Sequence, residues 1–384
     1  MRPNFKSYIH MKYYIIAGEA SGDLHGSNLI KELTKADSNT QVRCWGGDLM
    51  HASGGIVVKH YRDLAFMGFT EVIKNLSTIL KNISFCKKDI LAFQPDALIL
   101  IDYPGFNLRI AKWAKENGLK VIYYISPQIW AWKENRIHHI KKYVDKMLVI
   151  LPFEKAFYQK WDYEVDYVGH PLVEVVDEFI LQTKGKVNDW PNKKIIALLP
   201  GSRKQEILQK LPVMLKISAH LPEYQFVVAK APSIDESFYA NLLNQYSNVS
   251  TVSNRTYELL CHSTAALVTS GTATLETALF GVPEIICYKG NALSYQIAKR
   301  LIKIKFIGLV NLIMNKEVVK ELIQHELTTE NLLKELKLIL ENNEKKSAIK
   351  KDFEELKSIL SLGGHASKNA ATLITDYLKK SVKQ

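Results

Sequence analysis

The chain has 384 residues, 47% of them hydrophobic and 23% charged, an ordinary balance for a globular protein at a length that suggests two domains. No stretch approaches the ~18 consecutive apolar residues of a membrane span, so no spanning helix is expected. The net charge of +12 leaves an anionic membrane surface or phosphorylated small substrates as partners; nucleic acid is not expected, because nothing resembles a helix-turn-helix, a zinc finger or an aromatic RNA-binding strand.

Apolar runs of strand length alternate with helical patterns. The first strand is expected over 13–17, with a helix over 24–33. Further pairs fall at 97–101 with 108–117 and at 121–125 with 137–143, and strands over 147–151 and 167–168 close this half. A polar stretch over 182–194 precedes a second series, with strands at 195–199, 226–229, 265–268 and 284–288. Continuous apolar strands alternating with helices argue for parallel sheets covered on both faces. The expected class is therefore α/β, with two Rossmann-like domains. From about Leu327 the pattern is helical, and Gly363-Gly364 should break the last two helices.

The apolar run at 13–17 is short for a signal peptide and leads straight into Gly18-Glu19-Ala20-Ser21-Gly22-Asp23. Residues before Met11 read as a short extension. The four cysteines are scattered, without C-x-x-C or metal-type spacing, which suits a reduced cytoplasmic protein without structural zinc. There is no D-x-D and no His/Cys/Asp cluster, so neither a metal nor another cofactor is expected. The absence of G-x-S-x-G and of G-x-x-x-x-G-K-[ST] removes the serine-hydrolase and ordinary NTPase readings.

In open α/β sheets, ligands bind outside the carboxyl ends of the strands. Four segments fall at such ends. Gly18 to Asp23, followed by His25, is glycine-rich but does not match G-x-G-x-x-G. Asp102 ends a very apolar strand, where partial desolvation would raise its basicity; its bland role is to cap the helix near Leu108. Gly201-Ser202-Arg203 offers close backbone approach and a planar guanidinium fork suited to phosphate. Ser270-Gly271-Thr272 turns a buried strand into a helix, whose unpaired N–H groups and positive end favour a diphosphate, with Glu276 one turn on beside the ribose hydroxyls. Arg203 and helix N-termini would then neutralise a departing diphosphate, with the acid in one domain, the phosphate clamp in the other and the active site in the cleft between them.

An aromatic segment carries Trp130 and Trp132, followed by Lys133, Arg136, His138, His139, Lys141 and Lys142. It suits a lipid interface, or equally a core pair beside a solvated basic helix face. Met67 and Phe69 belong to a second apolar segment, which suits a fatty-acyl slot or a buried helix. His170, in Gly169-His170-Pro171, reads as a structural hydrogen-bonding residue.

These segments stand in family order: Ala17 to Asp23, Met67-Gly68-Phe69-Thr70-Glu71-Val72, Tyr124 to Trp132, Val168 to Leu172, Leu199 to Arg203 and Ser270 to Glu276. Together they resemble lipid-A-disaccharide synthases, bacterial inverting glycosyltransferases, over roughly 11–378. The resemblance implies a GT-B type fold whose two sheets face an inter-domain cleft. An acceptor domain would span 11–185, a UDP-sugar domain 186–355, and the helices of 356–384 would return to the first domain, allowing a homodimer that exchanges them. The implied reaction joins UDP-2,3-diacylglucosamine to the 6-hydroxyl of 2,3-diacylglucosamine 1-phosphate (lipid X), giving a β-1′,6 disaccharide 1-phosphate and UDP. Asp102 matches the family's essential acid, with Glu19 or His25 as assistants. Arg203, Gly271, Thr272 and Glu276 match the UDP site, which Gly201, Ser202 and Ser270 adjoin. Asn311 matches a family asparagine near the nucleotide, although Val310 stands where proline is usual, and Tyr103 and Gly105 also depart from the family's acid loop. Met67, Phe69, Trp130 and Trp132 would meet the acceptor or its lipid. Peripheral attachment to the cytoplasmic face of the inner membrane follows as an expectation. Another GT-B enzyme (a polyprenyl-linked N-acetylglucosaminyltransferase or a UDP-sugar 2-epimerase) and a non-catalytic nucleotide-sugar-binding protein are the alternatives.

Overall fold

The computed structural model describes residues 10–64, 76–184, 190, 193–232, 234–291, 295 and 304–382. The chain divides into two units, Met1–Pro171 with Leu362–Gln384, and Leu172–Ser361.

The first unit is built on seven strands: β1 (Lys12–Ala17), β2 (Gln41–Gly46), β3 (Ile56–His60), β4 (Ala97–Ile101), β5 (Lys120–Tyr124), β6 (Lys146–Val149) and β7 (Asp166–Tyr167). All pair in parallel, in the order β3-β2-β1-β4-β5-β6-β7. Helices on both faces explain why β4 is apolar at every position: each of its residues is buried. Full burial of each of Leu98, Ile99, Leu100 and Ile101 contributes on the order of 1.5–3 kcal/mol.

β2 and β3 lack the continuous apolar run of the strands expected from sequence. β2 carries Arg43, whose guanidinium makes a two-pronged bond to Asp89 at 2.8 and 2.7 Å, so a charge is tolerated inside the strand. β3 is half-exposed along its length, as an edge strand can be. Polar partners reach the core as well: Trp45 Nε1 donates to Tyr14 Oη at 3.0 Å, and Tyr14 Oη donates to Asp89 at 2.7 Å.

The second unit repeats the plan with β8 (Ile195–Leu199), β9 (Gln225–Lys230), β10 (Val249–Ser253), β11 (Ser263–Thr269), β12 (Glu284–Tyr288) and β13 (Lys320–Ile323). These are also parallel, in the order β10-β9-β8-β11-β12-β13. The sequence pattern did not show β10 or β13, both edge strands with incomplete burial. In each sheet the winding direction reverses once, between β1 and β4 and between β8 and β11. At such a point the connections leave in opposite directions and open a crevice beyond the carboxyl ends.

Helices Thr329–Glu341 and Asn343–Ser361 belong to the second unit, while the last helix, Ala366–Val382, packs on Ala20–Ala36 in the first. The glycine pair separates them as expected, with Gly364 at φ +67°. Gly363 is required by close approach: a Cβ there would stand 2.3 Å from Gly169 N. Asn369 Nδ2 donates to Val168 O at 3.1 Å and ties the last helix to the same spot. Gly363→Ala should therefore lower stability by roughly 1–3 kcal/mol, the usual cost of overpacking. Hydrogen exchange should show the loss first in Ala366–Val382; unchanged protection there would refute this docking role.

Candidate active site

In the first unit the reversal lies between Ala17 and Ile101, which are paired neighbours. The chain beyond β4 takes an uncommon path. Asp102 and Tyr103 have φ of +43° and +49°, and Ile125, just beyond β5, has +66°. Left-handed backbone at non-glycine residues stores strain and persists only where surrounding contacts impose it. Here they do. Asp102 N donates to the carbonyls of Tyr124 and Ile125 at 3.4 and 3.3 Å. Its carbonyl accepts from Asn107 Nδ2 at 2.8 Å and from Tyr123 Oη at 2.5 Å. Asn107 is fully buried and also donates to Ile101 O. The ring of Tyr103 lies over Gly18, where a Cβ would stand 2.3 Å from Tyr103 Cγ. The departure at Tyr103 thus has a packing reason, since the small Gly18 leaves it room.

This backbone carries the Asp102 carboxyl at the lip of the sheet. Burial, and then the negative charge of Glu19, push its pKa from 3.8 up to about 7, opposed by a hydrogen bond from the Tyr103 backbone. Glu19 precedes the helix Ala20–Ala36 as its N-cap residue. The helix after Asp102 starts at Pro104, earlier than expected, because proline suits a first helical turn; its N-cap is Tyr103. Asp102 is therefore not the capping residue. Asp102 opens into a cavity of about 220 Å³ that is also lined by Gln128, Trp132, Lys133 and Arg136. A larger hollow, about 430 Å³ along one face of Thr329–Glu341, presents solvated side chains and no strand end.

Two other predicted residues lie elsewhere. His25 is buried, its Nδ1 lacks a hydrogen-bond partner among the described residues, and burial pushes its pKa down to about 4. Its charged-group neighbour is His170, held down to about 3 by burial and by His25. Both are neutral at pH 7. The structure brings Glu19, and not His25, into the field of Asp102. Asp23 of the same glycine-rich segment accepts from Gly47 N, Leu49 N and Met50 N at 2.7, 3.2 and 3.1 Å, so it caps the short helix Asp48–Ala52.

The two tryptophans differ in burial. Trp130 is half-buried, set edge-on to Phe153, and donates to Glu154 at 3.2 Å. Glu154, which the sequence did not single out, also accepts from Leu151 N and Ile150 N, and burial pushes its pKa up to about 7. Trp132 is 50% exposed. Met67 and Phe69 lie outside the described residues.

In the second unit, Leu199 pairs with Val268 across the reversal, so the loops after β8 and β11 emerge side by side. Gly201 has φ +114°, and a Cβ there would press on Glu206. Ser202 and Arg203 are exposed; Arg203 starts the helix Lys204–Lys216 and pairs with Glu206 at 3.1 Å. Gly271, at φ +149°, and Thr272 stand exposed at the start of the helix Thr272–Leu279. Glu276 is half-buried, burial raises its pKa, and Tyr257 Oη donates to it at 2.6 Å. Tyr257 was missed because its partner is nineteen residues away in sequence.

Asn311 is wholly buried and its amide is fully engaged. Its Oδ1 accepts from Val318 N and Val319 N, and its Nδ2 donates to Val319 O and Glu321 Oε1. Glu321 in turn accepts from Ile307 N and Gly308 N at 3.0 Å, and Ile307 O accepts from Ser270 Oγ at 3.1 Å. The side-chain amide of Asn311 is thus engaged within the protein, and through Glu321 and Ile307 it is connected to the loop that holds Ser270.

Two Rossmann-like units of parallel strands, each with polar groups at its switch point, are the architecture of GT-B type glycosyltransferases. Solved structures with this fold include a UDP-GlcNAc 2-epimerase from Neisseria meningitidis bound to UDP-GlcNAc (TM-score 0.66, 14% identity, covering 96% of this chain and 100% of that one). Another is the glycotransferase of kitacinnamycin (TM-score 0.65, 13% identity, covering 96% and 99%). The family model described as Lipid-A-disaccharide synthetase matches residues 13–375. The lipid-A-disaccharide synthase of Syntrophus aciditrophicus is 40% identical over 378 residues, covering 96% of this chain and 98% of the relative. That of Trichlorobacter lovleyi is 38% identical over 374 residues, covering 96% and 97%. The chain belongs to the lipid-A-disaccharide synthetase family.

The raised pKa of Asp102 has a cost that can be measured. Below about pH 4 its carboxyl is protonated in both folded and unfolded chain and costs nothing. Between about pH 4 and pH 7 the unfolded chain releases the proton and the fold does not, so stability falls until the folded group also ionises. Asp102→Asn should be more stable than the parent by up to roughly 4 kcal/mol at pH 8 and nearly equal to it at about pH 4 and below. Thermal unfolding at the two pH values checks this; a pH-independent difference would mean that Asp102 titrates normally.

Proposed function

We propose that the chain catalyses lipid-A disaccharide formation, an inverting transfer of 2,3-diacylglucosamine from its UDP derivative to the 6-hydroxyl of 2,3-diacylglucosamine 1-phosphate. Family membership over 13–375 carries this reading. In it, Asp102 is the base that takes the proton of the acceptor hydroxyl. The hydroxyl oxygen forms a bond to C1 of the donor sugar, the bond from C1 to the diphosphate oxygen breaks, and UDP leaves with the electron pair. A base with a pKa near 7 combines adequate basicity with ionisation at neutral pH. Glu19 keeps that value high.

The leaving diphosphate gains charge in the transition state. The N-terminal N–H groups of Thr272–Leu279, the backbone at Gly201 and Gly271, and the Arg203 guanidinium are the groups suited to receive it. Glu276, steadied by Tyr257, has a carboxylate oxygen for the ribose hydroxyls. Ser202 and Thr272 add exposed hydroxyls beside the phosphates, and Asn311 braces Ser270 from behind.

The substrates' acyl chains place the reaction at a membrane surface in this reading. No helix among the described residues is long and apolar enough to cross a membrane. Helix Leu76–Phe93 instead exposes Leu80, Phe85 and Leu91 among Lys81 and Lys88, a mixed apolar and basic face that suits anionic lipid. Exchange of the helix Ala366–Val382 between two copies belongs to the same reading.

With UDP-2,3-diacylglucosamine and radiolabelled 2,3-diacylglucosamine 1-phosphate in detergent micelles with EDTA, a tetraacyl disaccharide should form, with kcat/KM rising through about pH 7. Asp102→Asn should lower kcat by roughly 10²–10⁴-fold while UDP binding persists; near-normal turnover would remove Asp102 from the base role. Leu80→Ser with Leu91→Ser should weaken flotation with anionic liposomes. Equal flotation of parent and variant would locate the lipid contact elsewhere.

A further inference from the structure

The 220 Å³ cavity beside Asp102 holds two cations that the transfer step, as described, does not use. Lys133 and Arg136 both line it and both are half-buried. Among the described residues neither has a carboxylate partner. The nearest acid in sequence, Glu134, instead accepts a bond from Trp161 Nε1 at 3.3 Å. The cations stand against each other: Lys133 is shifted down by burial and by Arg136, and Arg136 by burial. Among the described residues Asp102 makes no ion pair with either of them.

Two partly desolvated like charges held together without a counter-ion are costly, and an anion placed between them removes that cost. Trp132 fixes their position, with Lys133 Nζ 4.1 Å and the Arg136 guanidinium carbon 5.7 Å from its ring centre. Such contacts limit where the cations can go while leaving their N–H groups free.

We propose that Lys133 and Arg136 form a phosphomonoester subsite that seats the phosphate of the acceptor sugar, with Gln128 at its rim. The arginine fork suits two phosphate oxygens and the lysine supplies a point charge. The inference rests on the reading of this cavity as the acceptor side of the transferase. The geometry of the acceptor is compatible with it. In a hexosamine 1-phosphate, C1 and C5 flank the ring oxygen, so the phosphate and the C6 hydroxyl lie toward the same edge of the ring. One cavity can then hold the phosphate against the cations and present the hydroxyl to Asp102. The subsite selects phosphorylated acceptors and sets the distance at which the hydroxyl meets the base.

The first measurement is calorimetric titration of the full chain with glucosamine 1-phosphate. Binding should weaken roughly tenfold to a hundredfold in the double variant Lys133→Ala/Arg136→Ala, while UDP affinity is retained. Arg136→Gln alone replaces it if the double variant does not fold. The second is the transfer assay in neutral-detergent micelles. The ratio of kcat/KM for the phosphorylated acceptor to that for the same acceptor without phosphate should fall by a similar factor, with KM for the donor unchanged. A variant that keeps the parent's ratio overturns the proposal. So does one whose defect appears only when anionic phospholipid is added, which would assign the cations to a lipid headgroup. Binding of glucosamine 1-phosphate that depends on both cations, without disaccharide formation, would sink the reaction reading and leave the subsite standing. Turnover without discrimination for phosphate would do the reverse.

Discussion

The left-handed backbone at Asp102 and Tyr103 is the constraint on which the strand-end site of the first unit depends. A strand that ended conventionally would send the next side chain along the sheet or into the helix cap. Here the carbonyl of Asp102 is clamped by Asn107 and Tyr123, and its N–H bonds to the end of β5. The turn is thereby fixed by neighbours that are themselves buried. The strain holds a carboxyl at the edge of a dry sheet, where burial and Glu19 favour its protonated form. Strain, burial and basicity are one arrangement seen three ways.

The second unit solves the complementary problem with the same topology. Its switch point carries glycines in conformations that side chains rarely adopt, exposed hydroxyls, an arginine and a helix N-terminus. These groups favour developing negative charge, whereas the first unit offers a proton acceptor. Two copies of one fold thus present different chemistry, a buried carboxyl in one and anion-favouring groups in the other, set by which residues follow the strands. The network of Asn311, Glu321, Ile307 and Ser270 supports the loop that follows β11. Loss of any buried member would leave an unsatisfied polar group and shift the loop before it touched a substrate.

The same division explains why the chain is basic without resembling a nucleic-acid binder. Part of the positive charge is Arg203 after β8 in one unit and Lys133 with Arg136 on the cavity beside Asp102 in the other. Another part lies among exposed apolar side chains on Leu76–Phe93. In the proposed reaction, phosphate esters attached to acyl chains would meet both features at once.

The sequence by itself determined the alternating parallel architecture, because strands buried on both faces must be apolar, as are β4, β8, β1 after Lys12 and the 265–268 core of β11. It also determined the motifs that place the chain in its family. The edge strands β3, β10 and β13 were not legible, since partial burial leaves no continuous apolar run, and β2 was hidden by the partly buried ion pair of Arg43 with Asp89. Asp102 and Glu276 could be singled out from their position after a strand or within a helix's first turns. Their partners could not: Glu19 and Asp102 are eighty-three positions apart, and Tyr257 reaches Glu276 from another helix. The sequence marked Asn311, but not that its amide bonds Val318, Val319 and Glu321. Local pattern reports how each residue relates to its own element, but pKa, strain and the choice between contact and brace depend on groups brought together from distant segments. Only the tertiary structure decides those.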